Sequence, residues 1–193
     1  MKLIIASNNE DKIKEIKEIL GNRFEPILSL KEAGILCDPN ENGQTFLDNA
    51  LIKANEAAKY TDCAILADDT GLCVDALNGE PGIMSARYGG DHNYASNRAR
   101  LLKELDGKSN RSAYFYTAVV LRYPNGRVVT ADGRVDGYIL TSETGLQSSF
   151  GYDSIFFSTD LNKSFGQASE EEKNSVSHRG RALNNLLKAL SNK

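Results

Sequence analysis

Apolar residues in this chain fall into short runs and helical stripes, and each run predicts an element. Leu3, Ile4 and Ile5 make a strand-length run, after which Ile13, Ile16, Ile19 and Leu20 recur at helical spacing until Gly21 stops the pattern. Phe24 to Leu28 predicts a second strand, and Asp38-Pro39-Asn40-Glu41-Asn42-Gly43 is a dense cluster of turn formers. Thr45 with Asp48 three residues later reads as a capping box, so the stripe Leu47, Ala50, Leu51, Ala54 and Ala58 predicts a helix ending near Tyr60. Ala64 to Ala67 predicts a strand that ends at Asp68-Asp69-Thr70-Gly71, with apolar character resuming at Leu72 to Val74.

Farther along, Asn78-Gly79-Glu80-Pro81-Gly82 and Tyr88-Gly89-Gly90-Asp91 predict loops, and Tyr94 to Leu105 a helix with a modest apolar face. Ala113 to Leu121 and Arg127 to Tyr138 are strand-like runs joined by the hairpin signal Pro124-Asn125-Gly126. A Ser-, Thr- and Gly-rich loop over residues 141–149 leads into Phe150-Gly151-Tyr152-Asp153, a strand at Ile155 to Phe157, and a closing helix carrying Ala182, Leu183, Leu186, Leu187 and Leu190. Strands alternating with helices, plus one hairpin, predict an α/β fold with a mixed sheet flanked by helices, formed by a single domain over residues 1–193.

Composition narrows the function classes. Hydrophobic residues make up 40 % and charged residues 25 % of the 193, the balance of a globular protein with its own core. A formal charge of −3 gives no basic field to hold a nucleic-acid polymer, so an anion has to be bound by a local cluster. Cys37, Cys63 and Cys73 are odd in number and lack Cys-x-x-Cys spacing, and the chain has two histidines, His92 and His178; a disulfide framework or structural zinc is not expected. The apolar run at the N-terminus is too short for a signal sequence and no membrane-length run exists, so the expected location is the cytoplasm.

Four segments carry candidate chemistry, each with a plainer alternative. Ser7-Asn8-Asn9 and Lys12 lie between a strand and a helix N-terminus, a place that favours anions, although the same residues serve as a helix cap and a solvated lysine. No Walker A or Gly-x-Gly-x-x-Gly pattern accompanies them. Asp68-Asp69 are adjacent carboxylates at an expected strand end, where magnesium shared with loop acid Glu41 would offset their repulsion; a turn-capping Asp68 and solvated Asp69 is the alternative. Lys173, His178 and Arg179 crowd a helix start, where cations oppose the dipole and suggest an external anion, or else pair with the preceding glutamates. Phe150-Gly151-Tyr152-Asp153 offers two aromatics for stacking on a base, or for packing in a core.

Together these residues resemble the inosine triphosphate pyrophosphatase family along nearly the whole chain. The matching blocks are Ser7-Asn8-Asn9-x-x-Lys12, Glu41-Asn42-Gly43-x-Thr45-Phe46-x-x-Asn49-Ala50-x-x-Lys53-Ala54, Ala67-Asp68-Asp69-Thr70-Gly71-Leu72, Pro81-Gly82-x-x-Ser85-Ala86-Arg87-Tyr88, Phe150-Gly151-Tyr152-Asp153-x-Ile155-Phe156 and Glu171-Glu172-Lys173-Asn174-x-x-Ser177-His178-Arg179. The resemblance implies an elongated mixed sheet with two lobes, a central active-site cleft and a homodimer. It also implies Mg²⁺-dependent hydrolysis of ITP, dITP and XTP to the monophosphate and pyrophosphate. Implied for the triphosphate are Ser7, Asn8, Asn9, Glu10, Asp11 and Lys12, with Lys53 and Lys173 adding positive charge. Glu41 and Asp69 are the implied metal ligands, Asp69 also the implied base, and Thr70 an implied substrate contact. Phe150, Gly151 and Tyr152 are implied to flank the purine while Asp153, His178 and Arg179 read its 6-oxo edge. Departures from the family pattern are Thr70 for serine, Ser154 for proline, Ser148-Ser149 for a glycine pair, and Gln167 for an acidic residue. A Maf-type pyrophosphatase of other base preference, or a nucleotide-binding regulator without turnover, are the competing readings.

Overall fold

The computed structural model describes residues 1–145 and 150–191; the Ser148-Ser149 pair therefore lies outside the described residues. In chain order the elements are β1 (Leu3–Ile5), α1 (Glu10–Leu20), β2 (Ile27–Ser29), α2 (Phe46–Ala57), β3 (Ala64–Val74), α3 (Tyr94–Glu104), β4 (Ser112–Arg122), β5 (Val128–Ile139), β6 (Phe156–Ser158), β7 (Lys163–Ser164), α4 (Glu170–Val176) and α5 (His178–Ser191), with short 3₁₀ segments between several of them. The strands form one mixed sheet in the order β2-β1-β3-β4-β5-β6-β7. β1 runs parallel to β2 and β3, whereas β6 runs antiparallel to β5 and β7. This is the mixed α/β sheet expected from the alternation of patterns. No helix among the described residues is long and apolar enough to cross a membrane.

The chain divides into two compact units, one of residues 1–69, 117–133 and 179–193, the other of residues 70–116 and 134–178. In the first unit, strand parity sorts the core into two layers. Leu3, Ile5, Ala64, Leu66, Val119 and Leu121 pack with Ile16 and Leu20 of α1 and Ala182, Leu183 and Leu186 of α5. The intervening residues Ile4, Ala6, Ile65, Ala67 and Val120 pack instead with Ala50, Ala54 and Ala57 of α2. Helices thus cover both faces, which is why β4 is buried without interruption from Thr117 to Leu121. In the second unit a single cluster joins Leu72, Val74, Leu101, Phe115, Val135, Ile139, Ile155 and Phe156, and β5 alternates between buried and exposed positions.

Local signals account for most boundaries. The Thr45–Asp48 capping box starts α2, as its sequence predicts, and Asn9 caps α1 by accepting from the Lys12 amide. Three expectations are corrected. β2 begins at Ile27 rather than Phe24, because Phe24 turns into the core and Pro26 has no N–H to give a ladder. β3 does not end at Asp68 but continues through Val74, because both of its aspartates find partners in the fold. α4 is a separate helix within the expected cation-rich approach to the last helix, started by a Ser169–Glu172 capping box that the sequence reading overlooked.

Gly137 in β5 lets the β6 backbone close in: a Cβ there would lie 2.0 Å from the Phe157 carbonyl oxygen and 2.7 Å from Phe156 Cζ. Gly137→Ala is expected to destabilise the protein by about 1–3 kcal/mol, measured as a lower denaturant midpoint at unchanged slope; an unchanged midpoint would show that β6 shifts freely.

Candidate active site

The first unit assembles its charged residues on β3. Successive strand residues point to opposite faces, so adjacent Asp68 and Asp69 face different neighbours rather than each other. Asp68 shares the parity of Leu66 and meets the α1 and α5 side: its Oδ2 lies 3.2 Å from Lys12 Nζ and 3.3 Å from Arg179 Nε. Asp69 shares the parity of Ala67 and meets α2, with Asn49 Nδ2 donating to its Oδ2 at 3.1 Å and Lys53 Nζ 3.5 Å from its Oδ1. The expected repulsion across a strand end is therefore absent, and so is the alternative of a turn-capping Asp68 with a solvated Asp69.

Lys53 also donates to Glu41 Oε2 at 3.0 Å, so Glu41 and Asp69 converge on one cation position. The Glu41 loop is tied down by Asn49, whose Oδ1 accepts the Gly43 amide at 2.9 Å. A Cβ on Gly43 would sit 2.6 Å from Asp48 Cβ, so glycine permits that approach. Asn49 is a site residue that sequence reasoning missed; its signal is a polar residue buried within the apolar stripe of α2. Glu15 was missed as well: it pairs with Arg179 Nη1 from α1.

Burial dominates the electrostatics here. It pushes the Asp69 carboxyl above its ordinary range despite the opposing Lys53 and Lys12. Lys53, which burial alone would depress, is raised by Asp69, Asp68 and Glu41 together. Lys12 differs: burial holds it below the ordinary lysine range even though Asp68 opposes the shift, with Lys53 and Arg179 adding repulsion. Lys12 lies in the first turn of α1, the helix end at which the dipole is positive. In the turn before it, Ser7 Oγ accepts the Asn9 amide at 3.2 Å and Asn8 Nδ2 donates to the Cys37 carbonyl, while Glu10 and Asp11 are exposed.

Among the described residues no group of three His, Cys, Asp or Glu side chains is set to hold a metal. The pair Glu41 and Asp69 nonetheless fits a hard divalent cation, because two carboxylates already converge on one positive group and such an ion takes its other ligands from water or phosphate.

In the second unit, Phe150 is half-buried, with Tyr94 edge-on at 5.4 Å and Lys173 Nζ 5.3 Å from its ring centre. Lys173, expected to add charge for the phosphates, donates to Asp153 Oδ2 at 2.6 Å. Its unit is that of Phe150, and not that of Lys12 and Lys53. Tyr152, expected beside the purine, belongs to the core, and its hydroxyl donates to the Ser85 carbonyl at 2.8 Å. Burial moves that hydroxyl well above the usual tyrosine range. Gly151 between them takes φ +54°, a left-handed conformation that suits glycine. His178 is buried against Phe115, the rings stacked at 4.6 Å, and Arg179 is fully buried between Asp68 and Glu15. Thr70, half-buried, follows Asp69 in β3. Gln167 closes a turn with Ser164.

The sequence profile of the Ham1 family matches residues 3–189. The dITP/XTP pyrophosphatase of Leuconostoc mesenteroides subsp. mesenteroides is 48 % identical, over 98 % of this chain and 96 % of that protein. That of Clostridium perfringens is 46 % identical, over 96 % and 95 %. Among solved structures, the Staphylococcus aureus Ham1 protein aligns over 100 % of this chain and 98 % of its own with a TM-score of 0.87 at 38 % identity. A HAM1 protein from Coxiella burnetii aligns over all of both chains with a TM-score of 0.88 at 35 % identity.

Because Asp69 is harder to ionise in the fold than in the unfolded chain, its stabilising protonated state is lost as pH rises from 3.8 through the raised folded value, and its charge costs stability above that. Asp69→Asn is thus expected to melt above the parent at pH 7, the gap narrowing as pH falls toward 3.8; an equal or lower midpoint at pH 7 would show that Lys53 and Asn49 outweigh burial.

Proposed function

The chain belongs to the Ham1 family, and from that premise we propose that it hydrolyses ITP, dITP and XTP to the nucleoside monophosphate and pyrophosphate, clearing non-standard purines from the nucleotide pool. The names of its relatives point to this substrate class. The observation that carries the reading is Lys12, half-buried in the first turn of α1 and 3.2 Å from Asp68, at a helix N-terminus that favours an incoming anion. The protein works as a cytoplasmic homodimer in this reading.

The backbone amides and side chains of Ser7, Asn8, Asn9, Glu10, Asp11 and Lys12 hold the triphosphate at the start of α1, where unpaired helix N–H groups add donors. Glu41 and Asp69 hold Mg²⁺, which when bound supplies neutralisation of phosphate charge and acidifies the attacking water. Asp69, left basic by burial, orients that water and takes its proton as the oxygen attacks the α-phosphorus. The α–β anhydride bond breaks and pyrophosphate leaves, while Lys12 and Lys53 offset the charge that develops on it. Thr70 contacts substrate from the residue after the base.

Phe150 stacks on the purine, Gly151 shapes its turn, and Tyr152 supports that turn from the core. Lys173 acts with Asp153 on the base rather than on the phosphates, in keeping with their 2.6 Å bond. Donors of His178, at the start of α5, meet the 6-oxo group together with the Asp153–Lys173 pair of the same unit. Adenine brings an amino donor to that edge and leaves those donors unpaired, which disfavours ATP.

The test is product analysis with ITP, XTP, GTP and ATP, with and without Mg²⁺. IMP and pyrophosphate from ITP, dependent on the metal and with little turnover of ATP, is the expected result; orthophosphate and IDP would replace this reading with a phosphatase. Asp69→Asn is expected to lower kcat by about two orders of magnitude or more, and near-parental turnover would remove Asp69 from the mechanism.

A further inference from the structure

Arg98 of α3 is only 5 % exposed, yet it belongs to none of the groups assigned above. Its Nη1 donates to the Gly151 carbonyl at 2.9 Å, and its Nε stands 3.0 Å from Glu143 Oε2 in an ion pair. The same Glu143 oxygen accepts the Ser154 hydroxyl at 2.9 Å. One ion pair therefore grips the segment Phe150–Ser154 at two points, on either side of Tyr152 and Asp153. The first point is the left-handed Gly151, the second Ser154. Thr144 strengthens the second grip, its amide and hydroxyl both donating to the Ser154 carbonyl, at 2.7 and 3.1 Å.

A buried guanidinium is a poor device for stability alone, since an apolar side chain of similar volume fills the same space without desolvating a charge. Its forked, fixed geometry is suited to orientation, because one group reaches a carbonyl and a carboxylate at once. We propose that Arg98 and Glu143 are positioning residues that fix how Phe150 and Asp153 present themselves to a base, and so set base selectivity. This rests on the assignment of Phe150 and Asp153 to the purine.

Arg98→Met keeps the stem's volume and removes both polar ties; Glu143→Ala, on a half-exposed side chain, removes the tie to Ser154 and leaves the bond to Gly151. The Asp153 amide, which donates to the Phe150 carbonyl at 3.0 Å, reports the segment without any substrate. Its hydrogen exchange is expected to quicken about tenfold in Arg98→Met and less in Glu143→Ala, with β1 and β3 amides unchanged. In steady-state kinetics KM for ITP should rise about tenfold with kcat within about twofold, the preference for ITP over ATP should shrink, and Arg98→Lys should not restore it. Unchanged Asp153 exchange, or a fall in kcat at constant KM, overturns the proposal. If Arg98→Met does not fold, the exchange comparison on Glu143→Ala decides in the same way. Parent enzyme that releases no pyrophosphate from ITP refutes the proposed reaction instead, while the exchange data still decide the role of Arg98.

Discussion

Two neighbouring carboxylates on one buried strand constrain everything around them. A strand sends consecutive side chains to opposite faces, so Asp68 and Asp69 can both be buried only if each layer supplies its own cations. Lys12 and Arg179 answer Asp68, from α1 and α5; Lys53 answers Asp69, from α2. Helices on both faces of the sheet in this unit are thus an electrostatic requirement as well as a hydrophobic one. The same requirement explains why β3 runs through a sequence that reads as a strand end.

Within that cluster the cations are not equivalent. Lys53 sits among three carboxylates that keep it charged, whereas burial and neighbouring cations make the charge on Lys12 costly. Four carboxylates, Glu15, Glu41, Asp68 and Asp69, face Lys12, Lys53 and Arg179, and two of the four, Glu41 and Asp69, aim at a single position. Glu41 and Asp69 meet at Lys53 while Asp68 meets Lys12, so the polar groups of the cluster orient one another.

The segment Phe150–Ser154 is built on the opposite plan. Phe150 remains partly open, and the residues after it are anchored: Gly151 by Arg98, Tyr152 by Ser85, Asp153 by Lys173 and Ser154 by Glu143. Phe150, with Tyr94 edge-on and Lys173 Nζ over its ring, begins a turn whose other residues are each held by a polar contact. Polar ties in this number cost desolvation and gain orientation, the exchange expected where geometry matters more than stability.

Periodicity and turn chemistry by themselves determined the mixed α/β class, the helices α1, α2, α3 and α5, the hairpin and the Thr45–Asp48 cap, because these depend on residues three or four apart. The ordered motif blocks likewise marked Lys12, Glu41, Lys53 and Asp69 as residues of one family pattern. Only the tertiary structure decided the partners. That Asp68 and Asp69 face apart, that Asn49 joins the Gly43 amide to Asp69, that Lys173 pairs with Asp153, and that the Tyr152 hydroxyl reaches the Ser85 carbonyl are facts about residues 6 to 111 positions apart. Sequence spacing carries no information on such pairs, since strand parity and helix docking, set by the packing of the whole sheet, determine which side chains meet.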